Sequence, residues 1–130
     1  FRRVGGTMAK ILLKGITGLV KDETFPIEAG QNITVGRSRS CEISIKSCNA
    51  YTLMSPEARD RDEGLLTVSR KHLKIKFSKP DSIEIEDLSS NGTFLDGKRV
   101  DKMVIADLQS KPYELRLGRR ETFRMEFSAS

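Results

Sequence analysis

The chain has 130 residues, 37% hydrophobic and 32% charged, with six Phe, two Tyr and no Trp. That size and composition suit one globular core and exclude a disordered tail or a pair of large domains. The formal charge is +5, but leaving out Arg2 and Arg3 the count is 21 basic residues against 18 acidic ones, interleaved as in "EARDRDEG" rather than clustered, so no nucleic-acid footprint is expected.

Residues 1–8, "FRRVGGTM", read as a disordered leader or stray fragment edge ahead of a single domain over 9–128. From Lys10 onward, short alternating runs recur about every ten residues with Gly, Asp, Asn or Pro between them, the pattern of a β-sandwich. The expected strands are "KILLKGI", "TFPIE", "ITVGR" and "EISI", then "HLKIKFS", "SIEIEDL", "TFLDG" and "ETFRMEF", with weaker ones at 98–100 and 113–117.

Between the fourth and fifth strands, residues 46–66 break this rhythm. Ser55, Pro56 and Glu57 supply an N-cap, a first-turn proline and a dipole-compatible acid, which predicts a short helix to about Asp62, ended by Gly64. The fifth and sixth strands predict a hairpin joined by Lys79, Pro80 and Asp81. If opposite partners sum to 160, Phe77 faces Ile83 and Ile75 faces Ile85 on one surface, while Lys76 faces Glu84 and Lys74 faces Glu86 on the other. A slip by one residue would oppose apolar to charged at every position.

Cys41 and Cys48 lie seven apart with no CxxC and no nearby His, so neither a metal site nor a disulfide framework is expected and both read as free thiols. No apolar run approaches the ~20 residues that span a bilayer, and no signal-peptide pattern is present. A reducing compartment, cytosol or nucleus, is expected. A P-loop, an HExxH motif and a second His are all missing from the sequence, so the expectation is a protein that is not an enzyme and needs no cofactor.

Three polar clusters punctuate the strands: "GRS" from Gly36, "SRKH" from Ser69 and "SSNGTF" from Ser89. Taken singly they have ordinary readings: a surface cation at Arg37, a solvated turn at Ser69 and Arg70, a hairpin turn at Asn91 and Gly92, a structural His at position 72. Taken in order, Gly36-Arg37, Ser69-x-x-His72 and Asn91-Gly92-Thr93 resemble the forkhead-associated (FHA) domain family over nearly the whole chain, about residues 10–127.

The resemblance implies an all-β, two-sheet sandwich of about eleven strands whose end loops bind phosphothreonine peptides. It implies phosphate contacts from Arg37, Ser69 and Arg70, with Ser90 adding a hydrogen bond and Asn91 holding the peptide backbone. Gly36, His72, Gly92 and Thr93 would brace the loops. It also implies a small apolar niche for the threonine methyl, and a second preference read near Thr67, Ser69 and the segment after Lys98. A phosphothreonine carries about −1.5 to −2 charges and three acceptor oxygens, which suits guanidinium forks and short hydroxyl donors. The implied partner is a protein phosphorylated by a Ser/Thr kinase, bound by a monomer; the alternative is a phosphate-independent scaffold with the same fold.

Overall fold

The computed structural model describes residues 9–129; the expected leader, 1–8, lies outside them. Eleven strands form two sheets. They are β1 (Ala9–Thr17), β2 (Thr24–Glu28), β3 (Asn32–Gly36), β4 (Ile43–Ser44), β5 (Leu73–Lys79) and β6 (Ser82–Asp87). The remainder are β7 (Thr93–Leu95), β8 (Lys98–Val100), β9 (Lys102–Ile105), β10 (Tyr113–Leu117) and β11 (Glu121–Ala129). One sheet runs β2-β1-β11-β10-β7-β8, the other β4-β3-β5-β6-β9.

The alternation of each strand decides which side chains face inward. Ile11 and Leu13 of β1, Leu115 and Leu117 of β10, and Phe123 and Met125 of β11 meet Val35, Ile75, Phe77, Ile83 and Ile85 from the facing sheet, all buried. Phe25 packs edge-to-face on Phe123, with ring centres 6.2 Å apart.

The β5–β6 hairpin has the register expected from the sequence, with Phe77 opposite Ile83, Ile75 opposite Ile85, Lys76 opposite Glu84 and Lys74 opposite Glu86. The turn differs from expectation. Lys79 still pairs, with Ser82, after a one-residue irregularity at Ser78, so the loop shortens to Pro80 and Asp81, and the extra residue is taken up as a bulge.

Strand β9 is absent from the runs singled out above. Its exposed Val104 breaks the contrast between buried Ile105 and exposed Lys102 that would mark a half-buried strand. It nonetheless closes the sheet against β6, Ile83 facing Ile105.

The segment 46–66 folds into three short helical turns, α1 (Asn49–Thr52), α2 (Pro56–Arg61) and α3 (Glu63–Leu66). The cap of α2 is as expected: the Ser55 hydroxyl accepts the Ala58 amide at 3.1 Å, with Pro56 in the first turn. Gly64 does not end that helix. Asp62 ends α2 and caps α3 through the Leu65 amide, and Gly64 lies within α3, where a Cβ would stand 2.6 Å from the Arg120 guanidinium. Cys41 and Cys48 are both buried free thiols. Burial pushes Cys48 up to about 12, so it packs as a small apolar group. Among the described residues, no helix is long and apolar enough to cross a membrane.

Candidate functional site

The three polar clusters converge because of register. β3 ends at Gly36 beside the start of β5, β6 ends with Asp87 opposite Leu73, and β7 begins with Thr93 opposite Leu117 at the end of β10. The segments around 37, 67–72, 88–92 and 118–120 therefore share one end of the sandwich. Backbone bonds lace them together: the Arg37 amide donates to Ser69 O at 3.0 Å, Ser38 to Arg70 O at 3.0 Å, Leu88 to His72 O at 2.9 Å and Gly118 to Gly92 O at 3.0 Å.

His72 stands at the centre, 0% exposed. Its Nδ1 accepts the Ser69 amide at 3.0 Å, so Nε2 carries the proton and donates it to Gly92 O at 2.8 Å. One neutral imidazole thus ties the loop bearing Ser69 to the loop bearing Asn91. Burial pulls its pKa below the ordinary value, outweighing the Gly92 hydrogen bond and the nearby Asp87 charge.

The residues expected to face a ligand lie around this brace. Arg37 is half-buried and its Nε donates to Val68 O at 3.0 Å, which fixes the guanidinium plane and leaves the terminal nitrogens without a partner among the described residues. The Ser69 hydroxyl accepts the Ser90 amide at 3.2 Å, so its own proton is free to donate outward. Asn91 donates Nδ2 to Thr67 O at 3.1 Å, leaving Oδ1 and the second N–H of an exposed amide available. Arg70 and Ser90 are exposed. No carboxylate pairs with Arg37 or Arg70 among the described residues.

The supporting residues have separate roles. Gly36 is needed for close approach: a Cβ there would stand 2.2 Å from Arg70 O. Gly92 is needed for its backbone, at φ +99°. Buried Thr93 donates its hydroxyl to Asp87 Oδ1 at 2.9 Å.

Asp87 and Ser89 belong to the site although neither was given a role from sequence. Asp87 Oδ1 also accepts the Ser89 amide at 3.1 Å and hydroxyl at 2.6 Å, while Ser89 Oγ accepts the Gly92 amide at 2.8 Å. Burial raises the Asp87 pKa, but the hydrogen bonds from Ser89 and Thr93 together hold it below its usual value. The signal was present in "DLSSNGT", an acid two residues ahead of a hydroxyl, the pattern of an Asx turn.

Thr67 is the other hub. It accepts Asn91 through its carbonyl, accepts the Arg119 amide at 3.0 Å through Oγ1 and donates Oγ1 to Gly64 O at 2.7 Å. Behind it, Arg120 spans two carboxylates. Nη2 is 2.7 Å from Asp62 Oδ1 and 2.8 Å from Glu121 Oε2, as ion pairs off hydrogen-bond alignment, while Nη1 and Nε make aligned bonds to the same two groups. The helical segment is thereby anchored to the loop end.

The site presents donors fixed by hydrogen bonds to the loops around them. Two open depressions, of about 220 Å³ around Leu108 and Phe127 and about 160 Å³ around Ile16 and Tyr113, lie elsewhere. Among the described residues no cluster of His, Cys, Asp and Glu has a metal-binding arrangement.

Comparison with known proteins agrees with this fold. The model of the FHA domain family matches residues 33–120. The FHA domain of a hypothetical protein from Arabidopsis thaliana superposes with a TM-score of 0.70 at 24% identity, covering 100% of this chain and 97% of its own. The FHA domain of the CT664 protein from Chlamydia trachomatis does so at 0.64 and 21% identity, covering 92% and 99%. A structure from a study of phosphothreonine-dependent FHA domain interactions gives 0.58 at 24% identity, covering 88% and 94%. No curated protein matches the chain. With two-thirds of its length matched by the family model and eleven strands in the two expected sheets, the chain belongs to the FHA domain family.

Proposed function

We propose that the chain is a phosphothreonine-peptide-binding module that recruits a partner after a Ser/Thr kinase has acted. Arg37, Ser69 and Arg70 contact the phosphate, Ser90 adds a hydrogen bond, and Asn91 holds the peptide backbone beside the phosphorylated residue. The observation carrying this reading is the preset donor array: Arg37 is locked on Val68 O, Ser69 is locked by His72 and Ser90, and Asn91 is locked on Thr67 O. Donors fixed before binding lose little freedom when the ligand arrives. Charge-assisted bonds to a dianionic phosphate are the strong class of hydrogen bond.

Support also comes from relatives, among them the structure solved for phosphothreonine-dependent interactions and an engineered FHA domain with a Myc-pTBD peptide. The sequence offers no nucleophile and base to make the site a catalyst. Its natural use is recognition.

The test is binding of an oriented phosphothreonine peptide library, with phosphoserine and unmodified counterparts, to wild type and Arg37→Ala. Selective phosphothreonine binding that the variant loses is expected. Equal binding of phosphorylated and unmodified peptides would overturn the reading in favour of a phosphate-independent scaffold.

A further inference from the structure

Arg37, Ser69 and Asn91 each have a side-chain bond that fixes them, to Val68 O, the Ser90 amide and Thr67 O. Arg70 has no such bond among the described residues; its side chain is exposed and meets no carboxylate. What is fixed at Arg70 is its carbonyl. The oxygen accepts the Ser38 amide at 3.0 Å and the Cys41 thiol at 3.1 Å, one donor for each lone pair. It is also backed by Gly36, where a Cβ would stand 2.2 Å away.

Cys41 reaches that oxygen because the chain turns back after β3. Its amide donates to Ser38 O at 3.1 Å, and Ile43 of β4 then runs parallel beside Val35. Burial, helped by the Glu42 charge, raises the Cys41 pKa, so the sulfur keeps the proton it donates. The second buried thiol is placed differently. Cys48 Sγ lies 3.9 Å from Ser44 O, four residues back in its own segment, whereas the Cys41 bond spans 29 residues to the loop bearing Ser69 and Arg70.

We infer that Cys41 is a positioning residue for phosphopeptide binding: its thiol, with the Ser38 amide, clamps the Arg70 carbonyl and so sets where the Arg70 guanidinium meets the phosphate. This rests on the reading of Arg70 as a phosphate contact and adds the residue through which an otherwise unanchored side chain is aimed. The thiol itself does not touch the ligand. A peptide unit held at its oxygen by two donors loses one of them when it rotates, so the long Arg70 side chain starts from a fixed direction.

The experiment pairs phosphothreonine-peptide titration with urea unfolding for wild type, Cys41→Ala, Cys41→Val, Cys41→Ser, Cys48→Ala, Arg37→Ala, Arg70→Ala and the Cys41→Ala, Arg70→Ala double variant. Ala removes the donor, Val removes it while filling the space, and Ser restores it on a side chain of nearly the same shape. One neutral hydrogen bond is modest, so Cys41→Ala and Cys41→Val are expected to weaken the peptide about fivefold, and Cys41→Ser to return within about twofold of wild type. In the Arg70→Ala background, Cys41→Ala should cause no further loss of affinity, although it destabilises the fold there as much as in wild type. Cys48→Ala should lower stability with affinity unchanged.

Wild-type affinity in Cys41→Ala and Cys41→Val, with Arg70→Ala weakened, would overturn the clamp alone. Equal losses from Cys41→Ala with and without the Arg70 side chain would overturn it too, making the thiol a general prop of the loop end. A Cys41→Ser variant that binds no better than Cys41→Ala would show that the hydrogen bond is not the cause. Full affinity in Arg70→Ala while Arg37→Ala stays inactive would remove Arg70 from the phosphate contacts and the clamp with it. Failure of wild type to bind any phosphothreonine peptide would remove the parent reading as well.

Discussion

The imidazole of His72 donates to the carbonyl of Gly92 at 2.8 Å, and through its other nitrogen it holds the Ser69 amide, so a single side chain sets the distance between the loop bearing Ser69 and the loop bearing Asn91. Replacing it with Ala removes both bonds and opens a cavity where the ring was fully buried. The expected cost is about 3 kcal/mol of stability. Phosphopeptide affinity should fall as well, even at temperatures where the variant remains folded. Urea unfolding read against titration of a folded sample checks this; unchanged affinity in a destabilised variant would reduce His72 to a core residue.

The same imidazole gives the fold a pH dependence. Its pKa is lowered by burial, so the unfolded chain takes up the proton first, and below about pH 6.5 the unfolded state binds more protons than the native one. The His72 contribution is therefore complete above that value and is lost as pH falls toward the lowered native pKa. Asp87, also lowered but from a carboxylate's ordinary value, acts in a separate and more acidic window. Stability is the quantity to follow, because the phosphate on the ligand itself titrates near pH 6. Denaturant midpoints at closely spaced pH values are expected to decline as pH falls below about 6.5 in wild type, and His72→Asn is expected to lack that decline.

The anchoring of the helical segment leads to a coupling. Arg120 bridges Asp62 and Glu121 with Gly64 packed against it; Gly64 O accepts Thr67, and Thr67 O accepts Asn91. Cutting Asp62 to Ala leaves buried Glu121 as the remaining partner of Arg120 and removes the cap of α3. Stability should drop by about 2 kcal/mol. If Asp62 acts on the ligand through Asn91, Asp62→Ala should weaken the peptide about fivefold in wild type and have little further effect in an Asn91→Ala background. Additive losses in that double-mutant cycle would show that the helical segment stabilises the domain without positioning Asn91.

How much of this was legible depended on whether side chains or backbone carried the information. The β5–β6 register was legible because both faces of the hairpin discriminate: Ile75 must meet Ile85 and Lys76 must meet Glu84, and no slipped pairing satisfies both. Strand β9 was not, because Val104 is as apolar as its buried neighbour Ile105. Arg37, Ser69, His72 and Asn91 could be gathered from their spacing, but their actual partners are the carbonyls of Val68, Gly92 and Thr67 and the amide of Ser69. Those groups exist at nearly every position and leave no mark on a sequence. The Asp62–Arg120 pair joins residues 58 apart, across strands whose packing has to be known first.

Two glycines separate stability from recognition. A Cβ on Gly36 would sit 2.2 Å from Arg70 O, so Gly36→Ala must push apart the backbones that carry Arg37 and Arg70. Gly30 has φ +95° with nothing within 4 Å of a Cβ, and it lies in the turn between β2 and β3. Gly30→Ala therefore costs about 1 kcal/mol of backbone strain with affinity unchanged. Gly36→Ala is expected to cost about 2 kcal/mol and also to abolish measurable phosphopeptide binding. Paired unfolding and titration data on the two variants decide the matter. Full affinity in Gly36→Ala would mean that the spacing of Arg37 and Arg70 is not what holds the phosphate, and would shift the burden of recognition to Ser69 and Asn91.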